Sequence, residues 1–275
     1  MRWLRRALLV HKPSEDCAAK ATSISRALRS RGVSVDVRWV DDAIESGSAR
    51  EADVAILVGG DGTLLRFSRL GGKGLPLVLP YPCGRRLAFY EDLEGVEATE
   101  LVERLVNGDF HVELMPRLEA DVKGAKALAL NEVLVVNENL GRTGSFSVKA
   151  LAYPFETSLD VEADGVMVCS SPGSSAYNLS AGGPLVEPTS PAILVTFLSP
   201  VQLNVVPLVL HTLPHVEVRA MVPSRVYVDG ELVSGLAQGE GISVKLSTSW
   251  LRVVRLGAGW RKRLERVLAG RCCRG

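Results

Sequence analysis

Residues 57–65 read LVGGDGTLL, three glycines and one aspartate set between apolar runs. An Asp-Gly pair alone makes a turn, with the carboxylate bonded to its own backbone. Gly59, Gly60 and Gly62 together allow more. Without Cβ atoms, backbone N–H groups can approach phosphate oxygens, and a helix starting at the turn adds the positive potential of its N-terminus. Thr63 is placed to cap that helix. A carboxylate repels phosphate, so Asp61 makes chemical sense if it holds Mg²⁺ or accepts the proton of a hydroxyl that attacks phosphorus. The other reading is a plain turn. No Walker motif accompanies it, since Gly71-Gly72-Lys73 lacks both the spacing and the following Ser/Thr.

Two further stretches place polar groups among apolar ones. Residues 164–188, DGVMVCSSPGSSAYNLSAGGPLVEP, run from a strand into serines and glycines. That composition suits a polar concave surface for a ligand, or a solvated loop. Tyr177 could stack on an aromatic ring. Asn131 and Glu132 interrupt the apolar run KALALNEVLVV. An amide beside a carboxylate can grip vicinal hydroxyls, or mark a bulge at a strand edge.

The elements around these residues follow from periodicity. ALLV (7–10), VSVDVRWV (33–40), ADVAILV (52–58) and LPLVL (75–79) read as strands. Helices are expected over Ser14–Ser30, where Ala18, Ala21, Ile24 and Leu28 fall at helical spacing, over 63–70, and over Ala98–Asn107. Strands alternating with helices predict a parallel sheet covered on both faces, and ligands bind at the carboxyl edge of such a sheet, where the GGDG turn lies. After about residue 112, short β-rich runs with turn signals predict a largely antiparallel β domain. The C-terminal WRKRLERVLAG turns helical again, with Trp260, Leu264, Val267 and Leu268 on one face. The expected division is an α/β phosphate-binding domain over 1–112, completed by a helix over 257–275, and a β-rich domain over 113–256.

Composition narrows the partners. A net charge of +1 gives no electrostatic case for nucleic acid or an acidic membrane. The most apolar stretch, residues 191–210, is broken by three prolines, an asparagine and a glutamine, and so predicts buried strands rather than a membrane span. The apolar run near the N-terminus is too short for a signal peptide. Five cysteines without C-x-x-C spacing indicate neither a zinc site nor a disulfide framework, and a reducing cytoplasm is the expected compartment.

Taken in order, GGDGT, Asn131-Glu132, DG…SSPGSSAYNLSAGGP and VDG (228–230) resemble the NAD kinase family over roughly residues 50–265. GGDGT alone is shared with diacylglycerol and sphingosine kinases and with phosphofructokinases. The resemblance implies transfer of a terminal phosphoryl group from ATP or polyphosphate to the 2′-hydroxyl of the adenosine ribose of NAD. It implies Mg²⁺ or another divalent cation, held through phosphates or by Asp61. Asp61 would be the catalytic aspartate; Gly59, Gly60, Gly62 and Thr63 would shape the phosphate turn. Asn131 and Glu132 would hold the ribose hydroxyls or adenosine. Phe89 and Tyr90 resemble a segment beside the adenine, with Tyr90 and Tyr177 as stackers. Ser175, Ala176 and Ser180 match adenosine-pocket positions, and Asp164 matches an aspartate reaching a neighbouring subunit's site. An α/β domain, a β domain that binds NAD, and a homodimer or homotetramer complete the picture.

Three segments depart from the family's pattern. YPCGRRLAF (81–89) has Cys83 at an asparagine position and Arg85 at a glycine position; Arg85 and Arg86 bring two guanidinium groups that suit phosphate oxygens or solvent. SSPGSSAY is one residue short, and no Pro-His segment follows the β core. Phosphoryl transfer to a lipid or sugar, and a nucleotide sensor without catalysis, are the competing readings.

Overall fold

The computed structural model describes residues 3–84, 87–91, 93, 96–139, 141–211 and 213–257. They form two compact units, Met1–Leu114 with Leu251–Gly275, and Met115–Trp250.

The first unit is an α/β layer structure. Its strands are β1 (Arg6–His11), β2 (Ser34–Arg38), β3 (Val54–Gly59), β4 (Leu77–Pro82) and β5 (His111–Met115), joined by Leu251–Arg255 late in the chain. The sheet order is β2-β1-β3-β4, then Leu251–Arg255, then β5. Every pairing through Leu251–Arg255 is parallel. All six residues of β3 are buried, as a central strand covered on both faces requires. Helix Glu15–Ser30 starts where Ser14 Oγ accepts the Cys17 N–H, with Glu15 and Asp16 in its first turn. It turns Cys17, Ala21, Ile24 and Leu28 inward, and packs there with Leu101, Val102 and Leu105 of helix Ala98–Asn107.

Leu251–Arg255, grouped by sequence with the β-rich half, sits in this first sheet because Leu251, Val253 and Val254 are buried against it. The helix expected over 257–275 falls almost wholly outside the described residues. The cysteines differ from the expectation as well. Cys17, in the first turn of its helix, and Cys83, just after β4, form a disulfide across a sequence separation of 66. Spacing along the chain does not reveal such a pair, because only the fold brings the two Cα atoms to 5.8 Å.

The second unit has two six-stranded sheets, whose pairings are antiparallel. Alternate residues of both, among them Val133, Val135, Phe146, Val148, Val166 and Val244, form one buried core. Residues 191–210 supply strands Ile193–Leu198 and Leu208–Leu210 of one sheet, and no described helix is long and apolar enough to cross a membrane.

Candidate functional site

In the first unit, β3 ends at Gly59 and the next helix spans Asp61–Leu70, beginning two residues before the expected start. Gly60, not Thr63, is the N-cap, and no side chain among the described residues caps this helix. Thr63 instead donates its backbone N–H to Gly60 O at 2.9 Å and lays its side chain over Gly59. A Cβ on Gly59 would collide with Thr63 Oγ1 and Cβ, so a side chain is excluded there. Gly62 is different: it is exposed, and no atom of the described residues lies within 4 Å of where its Cβ would be. Its bare backbone faces open space at a helix N-terminus, as an anion-binding turn needs.

Asp61 is oriented by backbone. Its Oδ2 accepts the Ala88 N–H at 2.9 Å and its Oδ1 the Phe89 N–H at 3.1 Å. Tyr90 Oη donates to Gly60 O at 2.9 Å. The segment Ala88–Tyr90 thus clamps the turn. Tyr90, expected to offer a ring face to a base, is 1% exposed and is committed to the turn instead. Burial, with the Asp61 charge, holds its phenol protonated far above the usual range. Phe89 is buried too, so its contribution to Asp61 is made by its peptide. Arg85 and Arg86 lie outside the described residues.

The turn opens into a cleft of about 820 Å³ lined by His11, Lys12, Asp41, Asp61, Thr63 and Arg66, together with glycines 60, 62 and 84. Lys12, Arg66 and Gly84 were not singled out by sequence. Lys12 stands at the carboxyl end of β1, the edge where ligands of parallel sheets bind, and that was the available signal. Arg66 makes a two-pronged ion pair with Asp41, Nε to Oδ1 at 2.9 Å and Nη2 to Oδ2 at 2.7 Å, which holds the Asp41 carboxyl below its usual range. Gly84 brings its backbone against Gly60, so that a Cβ there would lie 3.5 Å from Gly60 Cα.

In the second unit, Asn131 and Glu132 stand at the start of strand Glu132–Asn137, both buried. Neither a bulge nor a surface edge accounts for them. Asn131 Oδ1 and Glu132 Oε2 are buried without a hydrogen-bond partner among the described residues. Burial, and then the charge of Asp229, push the Glu132 carboxyl up to about 8. Asp229 belongs to the VDG sequence, whose place in the motif order carries no role for it by itself. It sits at φ 49, and its carboxylate accepts the N–H groups of Leu130 at 2.9 Å, Asn131 at 2.7 Å and Glu132 at 3.3 Å. On the other side Ser170 Oγ donates to Leu130 O, and Gly173 packs so closely that a Cβ there would collide with the Asn131 backbone.

The serine-rich segment divides into two kinds of residue. Ser170, Ser171 and Ser174 are buried and spend their hydroxyls on backbone carbonyls. Asn178 is likewise internal, bonded to Ser174 O, Pro184 O and Thr196 Oγ1. These residues hold the loop rather than line a ligand surface. Ser175 and Ala176 are partly exposed, while Tyr177 and Ser180 are exposed at the short helix Tyr177–Ser180. Gly173, two residues before Ser175, is the residue of this segment that packs against the Asn131 backbone. Asp164 lies half-buried between strands, its peptide bonded to Asn137 and Leu198.

Comparison with known proteins places these features. Residues 8–110 match the ATP-NAD kinase N-terminal domain, and residues 130–256 the ATP-NAD kinase C-terminal domain. An NAD kinase of Methanopyrus kandleri is 33% identical over 239 residues, 82% of this chain and 84% of that protein. One from Aeropyrum pernix is 34% identical over 219 residues, 77% of this chain and 75% of the relative. The crystal structure of an NAD kinase from Archaeoglobus fulgidus in complex with ATP shares the fold, with a TM-score of 0.79 and 23% identity over 96% of this chain and 99% of that one.

Proposed function

This chain belongs to the NAD kinase family, and from that premise we propose that it transfers the terminal phosphoryl group of ATP to the 2′-hydroxyl of the adenosine ribose of NAD, giving NADP. The observation that carries the reading is Asp61, a carboxylate aimed by two backbone N–H groups at the head of a glycine turn. A turn that only bound phosphate would gain nothing from a carboxylate there.

The roles divide as follows. Gly60, Gly62 and the helix N-terminus meet the donor's phosphate oxygens, with Lys12 contributing charge; Arg85 and Arg86 are candidates for the same work. Asn131 Oδ1 and Glu132 Oε2, buried and without partners among the described residues, await hydroxyl donors such as those of a ribose. Glu132, with its carboxyl pushed up to about 8, can donate as well as accept near neutrality. Ser175, Ala176, Tyr177 and Ser180, in the segment after Gly173, would contact the adenosine. Asp61 takes the proton of the 2′-hydroxyl as its oxygen attacks the γ-phosphorus. The new O–P bond forms while the bond to the β-phosphate oxygen breaks, and ADP leaves.

Magnesium belongs with such a donor. It is usually held by one or two carboxylates plus phosphate oxygens, and the cleft provides Asp61 and the Arg66-paired Asp41. The residues fit an ion carried mainly by the nucleotide, where it would neutralise charge developing on the phosphates. Polyphosphate as an alternative donor, a cytoplasmic location, and a homodimer or homotetramer with Asp164 serving a neighbouring subunit are parts of the same proposal.

The test is NADP formation from Mg²⁺, ATP and NAD, read with an NADP-specific dehydrogenase, beside the Asp61→Asn protein. Turnover by the wild type and its loss in the variant, with nucleotide binding retained, are expected. No NADP with either ATP or polyphosphate would overturn the reading.

A further inference from the structure

Arg255, the last residue of strand Leu251–Arg255, is 1% exposed. Its Nε donates to Glu113 Oε2 at 2.7 Å and its Nη1 to the carbonyl of Phe89 at 2.7 Å, while Nη2 is buried with no partner among the described residues. The next two residues, just past the strand's end, hold a second point. Leu256 N and Gly257 N donate to the carboxylate of Glu91 at 2.7 and 3.0 Å. The segment Ala88–Glu91 is therefore fastened to the return strand at Phe89 and at Glu91; just before the first fastening it sends two N–H groups to Asp61, and between the two it sends a hydroxyl to Gly60.

Stability does not explain this arrangement. A buried ion pair recovers little beyond its desolvation cost, an apolar pair of similar volume is often as stable, and an orphaned buried N–H adds a further penalty. What the pair does provide is direction. Glu113 fixes the plane of the guanidinium, and the rigid fork then allows Nη1 only one line of approach, to the Phe89 carbonyl. That carbonyl and the Phe89 N–H, which donates to Asp61 Oδ1, flank one Cα, so holding the carbonyl restrains the N–H. We infer that Arg255, held by Glu113, is a positioning residue for phosphoryl transfer: through the backbone on either side of the Phe89 Cα it sets the orientation of the Asp61 carboxylate. This rests on the function proposed above.

Arg255→Lys is the first test, because lysine keeps a charge for Glu113 but cannot also reach the Phe89 carbonyl in a fixed plane. It should lower kcat by about 10- to 100-fold, the scale of a slightly misplaced catalytic group, with KM for ATP and NAD unchanged within about two-fold. Hydrogen exchange at the Ala88 and Phe89 amides should speed up, while exchange at Ile56 and Leu57 in β3 stays slow. Glu113→Gln, which releases the guanidinium plane without changing shape, should show a weaker form of both effects. Leu28→Ala, a core change in the same unit, should lower the Tm and leave kcat alone. Unchanged kcat in Arg255→Lys, or a kcat loss with no change at the two amides, would overturn the inference, as would a loss matched by Leu28→Ala at equal Tm. If the wild type makes no NADP, the proposed reaction fails, while the exchange arm still decides whether Arg255 orders the groups bonded to Asp61.

Discussion

Asp229 Oδ1 accepts the backbone N–H of Asn131 at 2.7 Å, joining residues 98 apart in the chain. With the Leu130 and Glu132 N–H groups on the same carboxylate, this bond fixes where the Asn131 and Glu132 side chains leave the strand. Asp229 also adopts φ 49, a conformation open to Asn as well as to Asp. Asp229→Asn should therefore fold and keep the turn, but its amide cannot accept three N–H bonds. The expected result is a rise of about 10-fold in KM for NAD with kcat little changed, and a stability loss of about 1–3 kcal/mol in denaturant titration. Unchanged KM for NAD would remove the Asn131-Glu132 pair from the acceptor site.

Glu132 gives the molecule a pH dependence opposite to that of an ordinary carboxylate. Burial raises its folded-state value from 4.5 to about 8. Between those limits the folded chain holds a proton that the unfolded chain releases, so the Glu132 contribution falls as pH rises from about 4.5 to about 8. Glu132→Gln is neutral throughout and removes that slope. The difference in Tm between variant and wild type should be small near pH 5 and should favour the variant increasingly toward pH 8. Thermal unfolding at several pH values measures it, and a difference that does not vary with pH would show that Glu132 is not protonated in the fold.

The glycines of the phosphate turn should separate structure from chemistry. Gly59→Ala drives a methyl into Thr63, whose β-branched side chain cannot rotate away because its Cβ is itself too close. Loss of both Tm and activity is expected. Gly62→Ala meets nothing within 4 Å among the described residues and lies in the first turn of a helix, where Ala is favoured over Gly by up to about 1 kcal/mol. Its Tm should hold or rise, while KM for ATP increases as the methyl blocks phosphate approach. A fully active Gly62→Ala enzyme would place the donor phosphates elsewhere.

Local patterns were legible in the sequence, and tertiary pairings were not. The continuous apolar run of β3 and the 3–4 spacing of Ala21, Ile24 and Leu28 identify their elements because burial acts on neighbouring residues directly. GGDG and Asn131-Glu132 stood out because polar or Cβ-free residues in buried surroundings need a reason. The residues that hold them in place carry no such mark. Arg255 reads as an ordinary charge at the end of an apolar strand, and Tyr90 as an aromatic available for stacking. Their partners, Glu113, Phe89 O and Gly60 O, become neighbours only through the sheet. Ser170 and Ser174 reversed the expectation for the same reason: their hydroxyls find carbonyls on distant strands and loops.

Cys17 and Cys83 follow that rule too, and their pairing has a measurable consequence. The bond links the first turn of helix Glu15–Ser30 to the residue that donates its backbone N–H to Gly59 O at 2.8 Å. Its neighbour Gly84 rests against Gly60. The disulfide thus ties a packed helix to the back of the phosphate turn. For a loop closed over a separation of 66 residues, the chain-entropy argument gives about 4 kcal/mol of stabilisation. Reduction, or the Cys17→Ala/Cys83→Ala double variant, should lower the Tm by about 10 °C. It should also raise KM for ATP more than KM for NAD, because the loosened residues lie behind Gly59 and Gly60. Thiol titration of the unfolded protein before and after reduction checks the bond itself, and calorimetry with and without reductant checks its effect. An unchanged Tm in reductant, with the thiols shown to be free, would mean that helix packing alone holds the turn.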